Sequence, residues 1–147
     1  MAYKVKDIAV KLLALAANDH GADLMTNLKL QKMLYYEQGF HLAYFGTPLF
    51  EEEIEAWMYG PVVPAVYNTY SQYGRGGIDP GPEETITLSG EKEEALFMEV
   101  YQVYGAFSAI GLMNKTHEEM PWKTTPTGSG HIITKDKMRE YFKKRLK

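Results

Sequence analysis

The sequence predicts a mainly α, α+β fold. It reads as a single domain (residues 1–147), a helical core of about five to six helices with a small antiparallel β element. Three observations carry this. Apolar residues recur at helical spacing through most of the chain, beginning with Val5, Ile8, Leu12 and Leu15. The period falls to two between residues 49 and 59, and Thr85-Ile86-Thr87-Leu88 and Ile132-Ile133 are further short strand candidates. The chain has 147 residues and no low-complexity tract, so one domain is the default. A chain of that size buries roughly 70% of its unfolded surface and needs no staple.

The first helix is expected over residues 4–18, with Ala9 and Ala16 beside its apolar stripe and His20-Gly21 as its stop. The second starts at Thr26 or Asn27, both good N-caps, and runs to Phe45 before Gly46. Leu30, Met33, Leu34, Phe40, Ala43 and Tyr44 give it a broad apolar face, as in a central core helix. Gly39 inside it costs about 1 kcal/mol relative to alanine, which marks a close approach by another backbone.

The alternating run then puts Ile54, Ala56 and Met58 on one side of a strand and Glu53, Glu55 and Trp57 on the other. Gly60-Pro61 is expected to end it, and Pro64 to open a third helix closed by Tyr73-Gly74. Residues 74–84 form a glycine- and proline-rich loop. Ser89 is expected to cap a fourth helix reaching Phe107, with Leu96, Val100, Val103 and Phe107 aligned. Ser108 caps a short fifth, ending at Met113 or Asn114. A short turn puts Pro121 at the start of the next helix, residues 124–130 are a loop, and Thr134 caps the last helix, which buries Met138, Tyr141 or Phe142, and Leu146.

Composition excludes several functions. There are no cysteines, which removes disulfides, thiolate metal sites and cysteine catalysis, and fits a cytoplasmic location. No apolar stretch approaches the ~20 residues that span a bilayer, so no membrane role is expected. Net charge is -3, and Lys143-Lys144-Arg145 with Lys147 is better read as a helix-end cluster than as a phosphate-binding patch. Nucleic acid is therefore not the expected partner.

Catalytic, cofactor and metal constellations are not found. His117-Glu118 begins an HExxH pattern that fails at Pro121. Glu51, Glu53 and Glu55 share a strand face without matching Asp, Asn or His elsewhere, and read as a solvated edge. What remains is aromatic. Trp57, Tyr59 and Tyr35 or Tyr36 flank the Gly60-Pro61 break beside Lys29, Gln31 and Lys32, a mixture suited to a protein-binding hot spot and expected to be partly exposed. The competing reading is of tyrosines hydrogen-bonded at the core edge.

The blocks Leu28-Lys29-Leu30-Gln31-Lys32-Met33-Leu34-Tyr35-Tyr36, Gln38-Gly39-Phe40, Pro48-Leu49-Phe50, Glu55-Ala56-Trp57 and Tyr59-Gly60-Pro61-Val62 resemble the Panacea domain, the SocA-like antitoxin or phage-associated GepA-type family. Thr116-His117-Glu118 with Pro121-Trp122 resembles its second block, and Tyr141-Phe142 its closing helix. The resemblance implies a non-enzymatic antitoxin that binds a cognate toxin protein, with no cofactor. It implies two modes, direct inhibition or delivery of the toxin to a ClpXP-type AAA+ protease; a phage-associated nucleic-acid-binding regulator is a further alternative. The partner-binding residues expected on this reading are Lys29, Gln31, Lys32, Tyr35, Tyr36, Trp57, Tyr59, Gly60, Pro61, His117 and Trp122. The corresponding mutational expectation is that Trp57→Ala or Lys32→Glu weakens partner binding.

Overall fold

The computed structural model describes residues 2–19, 23–82 and 84–146. The expected His20-Gly21 stop and Lys147 lie outside them. Among the described residues the fold is mainly α with a small three-stranded antiparallel sheet. The helices are α1 (Val5–Asn18), α2 (Asn27–Phe45), α3 (Pro64–Thr69), α4 (Glu91–Tyr104), α5 (Ala109–His117), α6 (Met120–Lys123) and α7 (Lys135–Lys143). The strands are β1 (Ile54–Trp57), β2 (Gly60–Val62) and β3 (Ile132–Ile133), in the order β2-β1-β3. No single described helix is long and apolar enough to cross a membrane.

α2 is the axis, and α1, α3, α4, α5, α7 and β2 all pack on it. The Thr26 hydroxyl accepts from the Lys29 amide at its start, and Gly46 ends it in the left-handed conformation at φ 74°. Its burial goes beyond an apolar face. Gln31, Lys32, Glu37, Gln38 and His41 are buried along with the leucines and tyrosines. Buried polar side chains are mostly bonded internally, and in α2 all but Glu37, whose Oε2 has no hydrogen-bond partner among the described residues, follow that rule. Gln38 does so by donating to the Phe50 carbonyl and accepting from the Leu49 amide, which fixes the chain after α2. His41 Nδ1 faces the Thr47 carbonyl at 2.6 Å and Nε2 the Glu93 carboxylate at 2.5 Å, which joins α2 to α4. Burial pushes the Glu93 carboxyl up, but hydrogen bonds from Tyr3 and His41 outweigh it and hold the group below the usual range.

The close approach at Gly39 is a ring rather than a backbone. A Cβ there would lie 2.2 Å from two atoms of the Phe142 ring. Tyr35, Tyr36 and Phe40 surround that ring with centroids 5.4, 5.9 and 4.8 Å away. Gly39 is the notch that lets α7 settle onto α2.

Three local expectations are corrected. Gly60-Pro61 does not end the sheet but lies inside β2, where Pro61 pairs with Ala56. β2 is an edge strand, so proline's missing N–H leaves no interior ladder bond unmade. Met58 belongs to the hairpin turn rather than to the buried face of β1. The expected strand at residues 85–88 does not form. The Lys11 ammonium takes the Ile86 carbonyl and the Glu94 carboxylate takes the Leu88 amide, so helix side chains satisfy that backbone.

α4 also buries a different stripe. Phe97 and Val100 are inside, whereas Val103 and Phe107 are exposed, because the chain turns sharply after Tyr104. Gly90 takes the N-cap position expected for Ser89. α5 runs a turn longer than expected, to His117, with Ser108 as its cap. Glu55 lies on the central strand, not at an edge, and its Oε1 accepts from Trp57 Nε1 and the Gly130 amide.

Candidate functional site: the β1–β2 hairpin

The hairpin turns through Met58 and Tyr59, with Trp57 opposite Gly60. No described non-glycine residue has positive φ, so the left-handed step of this turn falls on Gly60 at φ 110°. A Cβ at Gly60 would also lie 2.6 Å from Lys32 Cε and 2.9 Å from Thr116 Oγ1. The glycine therefore serves both the turn and the packing beneath it.

That packing is where most of the α2 motif goes. Lys32 is fully buried, and its Nζ donates to the Pro61 carbonyl at 3.2 Å. Burial lowers its pKa to about 7. Gln31 accepts from the Val63 amide at 2.9 Å and donates to Asn27, which in turn donates to the Tyr67 carbonyl. Side chains of one helix thus hold the backbone of β2 and α3 at three points.

Tyr35 and Tyr36 are fully buried too, and each hydroxyl donates at 3.0 Å to a different oxygen of Glu119. Burial pushes both tyrosines well above their ordinary pKa, and the Glu119 charge pushes the same way. The Glu119 carboxyl is raised by burial, and the two hydroxyls, Lys115 and Arg145 offset that in part. Glu119 was not among the residues expected at the site. Thr116 lies buried in α5, donating to the Met113 carbonyl.

Above this base the corner opens to solvent. Met58 and Tyr59 are 66% and 62% exposed. Trp57 is half-buried, with its ring 5.1 Å from that of Tyr67. Trp122 donates from Nε1 to the Trp57 carbonyl at 2.8 Å and stacks on His117 at 4.2 Å. The His117 Nε2 is buried and unpartnered. Met120 is exposed at the start of α6.

The expected site residues therefore separate into groups. Trp57, Tyr59, His117 and Trp122 meet at one corner, with Gly60 and Pro61 shaping it. Gln31, Lys32, Tyr35 and Tyr36 lie beneath it, inaccessible to any partner, so Lys32→Glu would test the core rather than a contact. Lys29 is elsewhere, donating to the Gly105 carbonyl at 2.7 Å. Met58 was missed because the strand was expected to continue through it.

The fold and corner together define a helical scaffold that carries a small, rigid hairpin with an apolar tip. The family model for "Antitoxin SocA-like, Panacea domain" matches residues 30–123, and the chain belongs to that family of SocA-like antitoxins. Antitoxin SocA of Caulobacter vibrioides (strain NA1000 / CB15N) is 46% identical over 50 residues, covering 34% of this chain and 27% of that protein. The matched stretch thus spans about a quarter of that relative's length. No solved structure matches the chain.

Proposed function

We propose that this chain is one antitoxin domain that neutralises a cognate toxin by direct protein–protein contact through the hairpin corner. Met58 and Tyr59 supply the centre of the contact, with Trp57, Tyr67, Trp122 and Met120 around them. The observation that carries the reading is the contrast at this corner. Two large apolar side chains stand in solvent on a turn whose supporting backbone is hydrogen-bonded from below by Lys32 and Gln31. An exposed tyrosine ring on a held backbone binds at low entropic cost, which suits a hot spot, and the flexible Met58 adds adaptable apolar area beside it. Family membership supplies the class of partner.

The test is co-expression with the product of the neighbouring open reading frame, followed by a binding titration. Wild-type chain is expected to rescue growth, and Tyr59→Ala to weaken binding at least tenfold with an unchanged melting temperature. A harmless neighbour product would remove the antitoxin reading; wild-type affinity of folded Tyr59→Ala would remove the corner from it. Pulse–chase of the partner separates the two modes. Direct inhibition leaves its half-life unchanged, whereas shortening that depends on a ClpXP-type unfoldase identifies a protease adaptor.

A further inference from the structure

A second surface lies where α1 ends and α4 turns into α5. A groove of about 670 Å³ runs between the Asp19 and Asp23–Thr26 stretches on one side and the α4–α5 elbow on the other. The two helices meet at 101°, and Phe107 of the elbow and Leu24 of the opposite stretch both line the groove. Both side chains are exposed, while Met25 beneath them is buried. Val103 on α4 and Ile110 on α5 are also exposed, at 52% and 56%. Soluble surfaces carry single apolar residues routinely; apolar side chains lining a concave site are the informative case.

The charges around the groove divide by side: Lys115 Nζ stands over the Phe107 ring at 5.5 Å on the elbow, and the acidic groups belong to the other wall. The lining includes the carboxylates of Asp19 and Asp23, both exposed residues. The cation in the lining, Lys29, is already committed, because its Nζ donates to the Gly105 carbonyl and fixes the elbow against α2. Burial lowers its pKa, with Asp19 acting in the opposite direction. Asp19 accepts one long hydrogen bond, 3.4 Å, from the Tyr101 hydroxyl and keeps capacity for more. The groove therefore offers apolar walls beside two acidic groups, on a scaffold held rigid by Lys29.

We infer that this groove docks a basic amphipathic segment of a protein partner, its apolar side chains between Leu24 and Phe107 and its Lys or Arg against Asp19 and Asp23. Charge complementarity selects this occupant over an acidic peptide or an anionic membrane, both of which the carboxylates repel. The surface is separate in sequence and composition from the hairpin corner, so the inference goes beyond the reading given above and stands or falls independently of it.

The test uses fluorescence anisotropy with a labelled 15-residue Leu/Lys amphipathic helical peptide and its Leu/Glu counterpart. The full chain is expected to bind the Leu/Lys peptide and to bind the Leu/Glu peptide at least tenfold more weakly. Asp19→Asn with Asp23→Asn, and separately Phe107→Ser, are each expected to weaken Leu/Lys binding tenfold with melting temperature unchanged. Tyr59→Ala is expected to leave this binding as it is. Equal binding of the two peptides overturns the inference, as does Leu/Lys binding that survives both groove variants. So does sedimentation showing a dimer that Phe107→Ser dissociates, since a second copy would then be the occupant.

Discussion

Gly39→Ala is expected to cost about 3 kcal/mol of folding stability, the opposite of the ordinary gain from replacing a helical glycine. Propensity alone favours alanine by about 1 kcal/mol. Packing reverses the sign, because the new methyl group would lie 2.2 Å from the Phe142 ring. That ring is fully buried and ringed by Tyr35, Tyr36 and Phe40, so it has no free direction in which to move. The accommodating response is a shift of α7 away from α2, which disturbs the most extensive helix pairing of the fold. Phe142→Ala alone should cost about 4 kcal/mol through the cavity it leaves. Combined with Gly39→Ala the losses should fall short of additive by 1 kcal/mol or more, since the clash disappears with the ring. Urea unfolding of the two single variants and the double measures this. Strict additivity would mean that Gly39 and Phe142 do not constrain one another.

The second large effect belongs to Lys32. Its ordinary pKa of 10.5 falls to about 7 because burial disfavours the ammonium, and its one described hydrogen bond is to a neutral carbonyl. Below pH 7 the lysine is charged in both folded and unfolded chains, and the burial penalty is full, about 5 kcal/mol. Between pH 7 and 10.5 the unfolded chain holds more protons than the folded one, so the Lys32 contribution makes stability rise with pH through that window. Lys32→Met keeps the stem and removes the charge. At pH 6 it is expected to raise stability by about 3 kcal/mol, the unpaired Pro61 carbonyl offsetting part of the gain. The comparison is urea unfolding of both proteins at pH 6, 8 and 9.5. Parallel pH profiles would show that Lys32 keeps its proton in the folded chain. Lys32→Glu, which from the sequence reads as a surface change, buries an unpaired carboxylate instead and is expected to prevent folding.

The starts of α2, α5 and α7 and the end of α2 were legible in the sequence because they are set locally. Thr26, Ser108 and Thr134 each accept from the amide three residues on, and Gly46 supplies the left-handed stop. What escaped depends on distant partners. Residues 85–88 looked like a strand by composition, but Lys11 and Glu94 take the backbone groups a neighbouring strand would have used. Gln31 and Lys32 of α2 read as part of a partner-binding surface because nothing local reveals that β2, Phe50 and α4 will cover the helix. Consequently the Lys29–Tyr36 motif was recognised as important while its placement was not. It holds the hairpin from below, and the exposed surface is the turn itself. Tyr59 could be found from its position at a glycine-proline corner. The groove could not, because its walls come from three separated stretches of chain.

Enclosure of α2 also sets how the molecule breathes. An amide on a helix covered on every side reaches solvent only when the packed layers around it come apart together. Hydrogen exchange in the middle of α2, around Leu34 to Phe40, is expected to follow the global unfolding free energy, while amides at the Met58–Tyr59 turn exchange through small local openings. Faster, sub-global exchange in α2 would show that its cover can lift piecemeal. A partner that grips the hairpin would then slow exchange mainly at the tip, leaving the protection of the central helix where it stood before binding.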